Sequence, residues 1–158
     1  MTAHKHLPLP ALLAQLEVWR AAGQRIVFTN GCFDLMHPGH VEYLEAARAE
    51  GERLVIGLNS DRSVRALKGE TRPILPEHAR ARLLAALACV DAVVVFDEDT
   101  PAALIEQVCP DVLAKGADYQ LHEVVGAAFV QARGGRVALI EFVPGFSTSA
   151  IVRHIREE

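Results

Sequence analysis

At 158 residues, with 51% hydrophobic and 23% charged residues, the chain is long enough to bury one substantial core and too short for two. Its 16 basic against 20 acidic residues leave a net charge of −4, which excludes a generally basic, nucleic-acid-binding surface, and no apolar run approaches the length of a membrane span. The cysteines Cys32, Cys89 and Cys109 are odd in number and lack metal-ligand spacing, so neither a disulfide framework nor a zinc site is expected. The stretch Met1 to Pro10 has no apolar core or cleavage pattern of a secretory signal, and the expected compartment is the cytoplasm, with no membrane association.

Residues 10–22 carry Leu12, Leu13, Leu16 and Trp19 at helical spacing, predicting a packing helix that Gly23 stops. The expected organisation is one domain, 1–158, with residues 1–24 as an N-terminal packing element and 25–155 as a catalytic core. Strand one is expected at 25–29, followed by a helix over 38–50 that opens with Pro38 at its first turn. Residues 54–58 make strand two, and Asn59-Ser60-Asp61 caps a basic segment running from Arg62 to Lys68. A helix over 76–88 leads to strand three at 92–96. Thr100-Pro101 reads as a cap and first-turn proline for a helix to Val108, and strand four follows at 111–114. A helix over 123–133, a Gly134-Gly135 turn, strand five at 137–142 and a short last helix opened by Gly145 to Ser149 complete the chain. Strands alternating with helices predict an α/β fold, a doubly wound, Rossmann-like parallel sheet of five strands in the order 3-2-1-4-5 with helices on both faces. Strands one and four would then flank the switch point, where ligands of such sheets bind.

The segment joining strand one to its helix, Asn30-Gly31-Cys32-Phe33-Asp34-Leu35-Met36-His37-Pro38-Gly39-His40, places two histidines three residues apart on one helical face beside free N–H groups, a setting that favours phosphate. Lys115-Gly116 at the end of strand four and the hydroxyls of Ser147, Thr148 and Ser149 at another helix start point to the same crevice, so a polyphosphate site is expected there. The glycine turn is not GxGxxG, which removes the central feature of a dehydrogenase, and no HExxH or paired cysteines support a protein-held metal. For Arg62 and Arg65 a solvated basic face is as good a reading as a functional one, whereas Lys68 and Arg72 flank a glycine loop at the expected cleft mouth. Asp97, Glu98 and Asp99 are adequately explained as an acidic turn before Thr100-Pro101. Cys32 reads as a small buried residue rather than a nucleophile.

Gly31 to His40 resembles the HxGH motif of the cytidylyltransferase-like nucleotidyltransferases, and Gly145-Phe146-Ser147-Thr148-Ser149 resembles that superfamily's second, ISTT-like motif. More narrowly, Phe28 to Asp34, Asn59-Ser60-Asp61, Leu67-Lys68-Gly69, Arg72-Pro73, Glu98 to Pro101 and Lys115-Gly116 are similar to the heptose 1-phosphate adenylyltransferases of ADP-heptose synthesis. The resemblance implies AMP transfer from ATP to D-glycero-β-D-manno-heptose 1-phosphate with release of pyrophosphate, on the route to lipopolysaccharide or related surface glycans. In some members the domain is fused to a sugar kinase; with no kinase half in this sequence, a separate kinase upstream is expected. Related glycerol-phosphate cytidylyltransferases place an arginine where Phe142 stands and an acidic residue where Ala117 stands, which weakens a cytidylyl reading. Ser149 replaces the motif's second threonine and keeps its hydroxyl.

The resemblance implies His37, His40, Lys68 and Lys115 as catalytic residues, with His40 nearer the reacting centre. It implies nucleotide contacts from Asn30, Gly31, Cys32, Phe33, Gly39, Gly145, Ser147, Thr148 and Ser149, and sugar-phosphate contacts from Asp34, Lys68, Arg72 and Lys115. Mg2+ would enter with ATP, bridging phosphate oxygens, with no protein metal site. The alternatives are cytidylyl transfer to a polyol phosphate, adenylyl transfer to flavin mononucleotide, a nucleotide-binding module without chemistry, or a structural subunit. A homo-oligomer is compatible with the sequence.

Overall fold

Five runs rich in β-branched and aliphatic residues form a single sheet: β1 (Ile26–Gly31), β2 (Arg53–Asn59), β3 (Ala92–Phe96), β4 (Val112–Gly116) and β5 (Arg136–Ile140). The computed structural model describes residues 2–157, so Met1 and Glu158, the two ends of the expected domain, lie outside the described residues. The order is β3-β2-β1-β4-β5, as the alternation of strands and helices predicts, and every pairing is parallel. Each strand-to-strand connection passes through a helix, which is what parallel neighbours require. β1 is central, and the chain winds away from it in both directions. That winding leaves a crevice at the carboxyl ends of β1 and β4.

The helices are α1 (Leu9–Ala21), α2 (Pro38–Ala49), α3 (Asp61–Lys68), α4 (Glu77–Ala86), α5 (Ala102–Val108), α6 (Ala127–Ala132) and α7 (Thr148–Arg156). Successive strand residues point to opposite faces, so the sheet builds two cores. On one face Val27, Leu54, Ile56, Leu58 and Val93 pack under Tyr43, Leu44 and Ala47 of α2 and Ala81, Leu84 and Ala85 of α4. On the other, Ile26, Phe28, Val55, Val94 and Leu113 pack under Leu12, Leu16 and Trp19 of α1, Leu104, Ile105 and Val108 of α5, and Val130 of α6. Fully burying each such large side chain contributes roughly 1.5–3 kcal/mol, so both faces must be covered.

The differences from the expected elements have local causes. The helix expected over 123–133 is reduced to α6, because a 3-10 turn at Leu121–Glu123 and Gly126 at φ +85° precede it. Strand five ends at Ile140 rather than 142, which frees Phe142 from the ladder. Pro101, not Thr100, occupies the cap position of α5, and no acidic residue sits in that helix's first turn. Asp97 instead accepts from the Ser60 hydroxyl and pairs with Arg62, which also approaches Asp99 at 3.6 Å. The outer edge of β3 is covered by the N-terminal segment: His6 bridges to Val93, and the Leu7 N–H donates to the Val93 carbonyl at 2.9 Å. Lys5 caps the end of α4 and the turn beyond it, donating to the carbonyls of Leu87 (3.0 Å) and Val90 (2.6 Å).

Candidate active site

At the carboxyl end of β1 the chain turns sharply, with Phe33 at φ +46° and Leu35 at φ +51°. Both are left-handed conformations that cost a residue with a side chain, and such strain persists only where surrounding contacts hold it. His37 is the cap residue of α2 and Pro38 its first helical residue, a position where the missing N–H costs nothing. The imidazoles of His37 and His40 stack with centroids 3.8 Å apart and planes 19° from parallel. Gly39 permits this: a Cβ there would lie 3.1 Å from the His37 ring and 3.3 Å from Phe146 Cβ. The edge of Phe33 closes on His40 at 5.4 Å.

Nδ1 of each histidine is buried without a hydrogen-bond partner among the described residues, an arrangement that leaves polar capacity for a ligand. Burial lowers the pKa of His37. Burial, then the neighbouring His37 and Lys68, lower that of His40 to about 4, so its ring is neutral at pH 7.

Across the switch point Lys115, on β4, donates to the Asn30 side-chain oxygen at 2.6 Å and lies 5.8 Å from the centroid of the Tyr119 ring. Burial lowers its pKa to about 8, with Asp118 acting in the opposite sense. Next to it Gly116 lies under Phe142, whose ring a Cβ at that position would meet at 2.2 Å. Phe142 stacks on Tyr43 at 5.6 Å, and the Tyr43 hydroxyl is bonded to that of Thr29 at 2.9 Å. The segment beyond β5 then crosses back over the histidines. Phe146 stacks on His37 at 6.3 Å, and the Thr148 hydroxyl donates to the Asp34 carbonyl at 2.6 Å.

A pocket of about 460 Å3 lies between these elements. Its wall contains Asn30, Gly31, Cys32, Phe33, Asp34, His40, Lys68, Arg72, Lys115 and Thr148, so the crevice brings together most of the residues expected from sequence. His37 and Gly39 sit directly behind, through the ring stack. Gly145, Ser147 and Ser149 are exposed and off the pocket wall, and the Ser147 hydroxyl accepts the Ala150 N–H as an ordinary helix cap. Burial raises the pKa of the Cys32 thiol, against the pull of Lys68, Arg80 and Arg72, which suits a wall residue rather than a nucleophile.

Two of the expected sugar-phosphate contacts, Asp34 and Arg72, are engaged with each other at the pocket wall. The Asp34 side chain is 1% exposed, and its oxygens are taken by Arg72 Nε (2.8 Å) and the N–H groups of Ile74 (2.8 Å) and Leu75 (3.0 Å). Burial alone would push this carboxyl up, but the three donors outweigh it and leave its pKa below the ordinary value. Asp34 and Arg72 therefore form a clamp holding the 69–76 loop against the turn after β1. Lys68 remains exposed, with no ion pair among the described residues.

Sequence reasoning missed Tyr43 and Tyr119, and it named Asn59, Leu67 and Phe142 only as marks of the resemblance without placing them on the pocket wall, which depends on long-range packing. It also missed Arg80, fully buried, which donates to the carbonyls of Cys32 (2.7 Å), Asn59 (2.9 Å) and Leu75 (2.9 Å) and to Asp61 (2.8 Å). A signal existed: Arg80 adjoins Ala81 and precedes Leu84 by four, on the buried stripe of α4. Among the described residues no group of three histidine, cysteine or carboxylate side chains converges as a metal cage.

Comparison with known proteins agrees with this geometry. The chain is 61% identical to the bifunctional protein HldE of Methylobacillus flagellatus over 97% of its own length, and 60% identical to that of Magnetococcus marinus over 89%. It spans about a third of the length of these curated relatives, 31% and 29%. Among solved structures it resembles the lipopolysaccharide core biosynthesis protein of Thermoplasma volcanium, with a TM-score of 0.64 and 27% identity, covering 78% of this chain and 100% of that one. Pantothenate synthetase from Thermus thermophilus shares the fold at a TM-score of 0.62 and 19% identity, over 93% of this chain and 67% of that one. The family described as cytidylyltransferase-like matches residues 28–154. With that match spanning both the stacked histidines and the Lys115 side of the crevice, the chain belongs to the cytidylyltransferase-like family.

Proposed function

We propose that the chain transfers AMP from ATP to a heptose 1-phosphate, releasing pyrophosphate and forming ADP-heptose. The observation that carries this reading is the pocket at the switch point. It faces the His37–His40 stack on one side and Lys115 with an aromatic wall of Tyr43, Phe142 and Tyr119 on the other. A relative at 61% identity named bifunctional supports assigning this chain's third of its length to one of the two functions. The wall offers an aromatic ring at Phe142, which favours a sugar over a small polyol phosphate. Residues 25–155 would form the catalytic core of a single domain.

A phosphate monoester is already largely ionised at neutral pH, its second pKa being about 6, so no general base is required. An acceptor phosphate oxygen attacks the α-phosphorus of ATP in line, the α–β bridging bond breaks, and its electron pair leaves with pyrophosphate. The protein's part is alignment of two anions and stabilisation of charge on the α-phosphate and the leaving group. His40, with His37 behind it, donates to the phosphates of the nucleotide, and Thr148 and the turn at Gly31 to Phe33 border the same region. Lys115 and Lys68 attract the acceptor phosphate, while Asp34 and Arg72 hold the loop. Mg2+ would accompany ATP and neutralise part of the phosphate charge. The 1-phosphate is supplied by an upstream kinase reaction, and use of ATP suits a cytoplasmic reaction.

A panel crossing ATP, CTP and other nucleotides with heptose 1-phosphate, glycerol phosphate and flavin mononucleotide, scored by pyrophosphate release, tests the reading. Release is expected only with ATP and heptose 1-phosphate together. A preference for CTP or a polyol phosphate sinks the assignment, and tight ATP binding without turnover of any acceptor makes the chain a binding module.

A further inference from the structure

The geometry points to Arg80 as a positioning residue that sets the Phe33 N–H as a fixed phosphate donor, an inference resting on the nucleotidyl-transfer reading above. The guanidinium is completely buried beneath the pocket, where a charge persists only if paired and hydrogen-bonded. Its Nη1 holds two carbonyls at once, Cys32 at the end of β1 and Asn59 at the end of β2, at 2.7 and 2.9 Å. Nη2 reaches Asp61 at the start of α3, and Nε reaches Leu75 in the clamped loop. One side chain thus joins four segments that converge beneath the pocket.

The consequence lies in the peptide plane between Cys32 and Phe33. That bond is trans, and in a trans peptide the C=O and N–H point in opposite directions. By drawing the Cys32 carbonyl inward, Arg80 turns the Phe33 N–H outward, in a residue that lines the pocket and whose ring edge meets His40. No acceptor among the described residues receives that N–H. The left-handed conformation of Phe33, φ +46°, is held in part by this pull. A donor fixed before the reaction stabilises developing phosphate charge without reorganisation, which is the advantage of such preorganisation.

Lysine cannot replace this fork: a compact ammonium with three donors does not span four acceptors held in the plane of a guanidinium. The test combines amide NMR and kinetics on the full chain. In the wild type, ATP should move the Phe33 amide proton downfield; no movement overturns the inference. In Arg80→Lys that movement should be lost and kcat should fall by about a hundredfold, while KM for ATP changes by less than ~3-fold. A folded Arg80→Lys with lowered Tm but wild-type kcat and Phe33 shift would make Arg80 a structural residue only. If this variant does not fold, the wild-type amide measurement decides. Absence of pyrophosphate release by the wild type would instead strike the nucleotidyl-transfer reading and leave the Phe33 measurement standing.

Discussion

His40 is a base held uncharged by its surroundings, with a pKa of about 4 against an ordinary 6.5. A triphosphate seated on it reverses the balance, since an anion within a few ångströms favours the imidazolium. Binding of ATP at pH 5–6 should therefore take up a proton, seen as a His40 ring signal titrating near 4 in the free protein and above 6 in the complex. A His40 that already titrates at 6.5 or above without ligand would contradict this environment. The same depression has a sign for folding: stability is full above pH 6.5 and declines as pH falls toward 4, because the unfolded chain binds the proton first. His40→Ala should stay folded and lose about a hundredfold or more in kcat. Lys115 titrates in the opposite half of the range. Its charge is lost as pH rises through about 8, so kcat/KM, which reports the free enzyme, should fall above that point. In Lys115→Met this falling limb should vanish along with most of the activity. The two histidines were legible in the sequence because their signal is contiguous; the direction in which burial moves them depends on Phe33, Phe146 and Lys68, and only the fold supplies those.

Among the elements, the loop before α4 is fastened by Asp34, which sits inside the HxGH segment but serves the 69–76 loop. Asp34→Asn should present an amide to three donors and leave Arg72, 14% exposed, without its counter-charge. Losing a buried, hydrogen-bonded pair costs ~3 kcal/mol, to be read from urea unfolding. A loss below ~1 kcal/mol would mean that the loop is held by other contacts. Gly116→Ala acts on the opposite wall, driving the Phe142 ring aside because the added methyl would lie 2.2 Å from it. Phe142 is half exposed and can move, so the expected result is a ~10-fold higher KM for the acceptor with an intact fold. An unchanged acceptor KM would remove Phe142 from the acceptor side. The sequence marked Asp34 and Arg72 as site residues but not as partners of each other, because a carboxylate and a guanidinium 38 residues apart look the same whether they face a ligand or each other.

At the scale of the whole molecule, the strand order was readable because aliphatic runs of about four to seven residues alternate with helical periodicity, and right-handed crossovers leave few arrangements. Placing Lys115 opposite Asn30 followed from that order alone. Less readable was the edge of the sheet, since the residues that cover β3 belong to a short stretch without periodicity. Lys5→Ala removes two bonds to carbonyls and should cost ~1–2 kcal/mol in thermal or chemical unfolding while leaving kcat unchanged, because nothing in that corner touches the pocket.

The stacking of His37 on His40 at 3.8 Å bears on selectivity among ions. Two imidazolium rings at that distance repel, so the resting stack is electrically quiet. Arg72 and Arg80 are paired with Asp34 and Asp61, which leaves Lys68 and Lys115 as the cations facing the crevice. The neutral stack adds nothing to the field of those two lysines until an anion is seated on it. Only a ligand bringing several negative charges at once can recharge the stack, which makes occupancy depend on the valence of the anion rather than on its abundance.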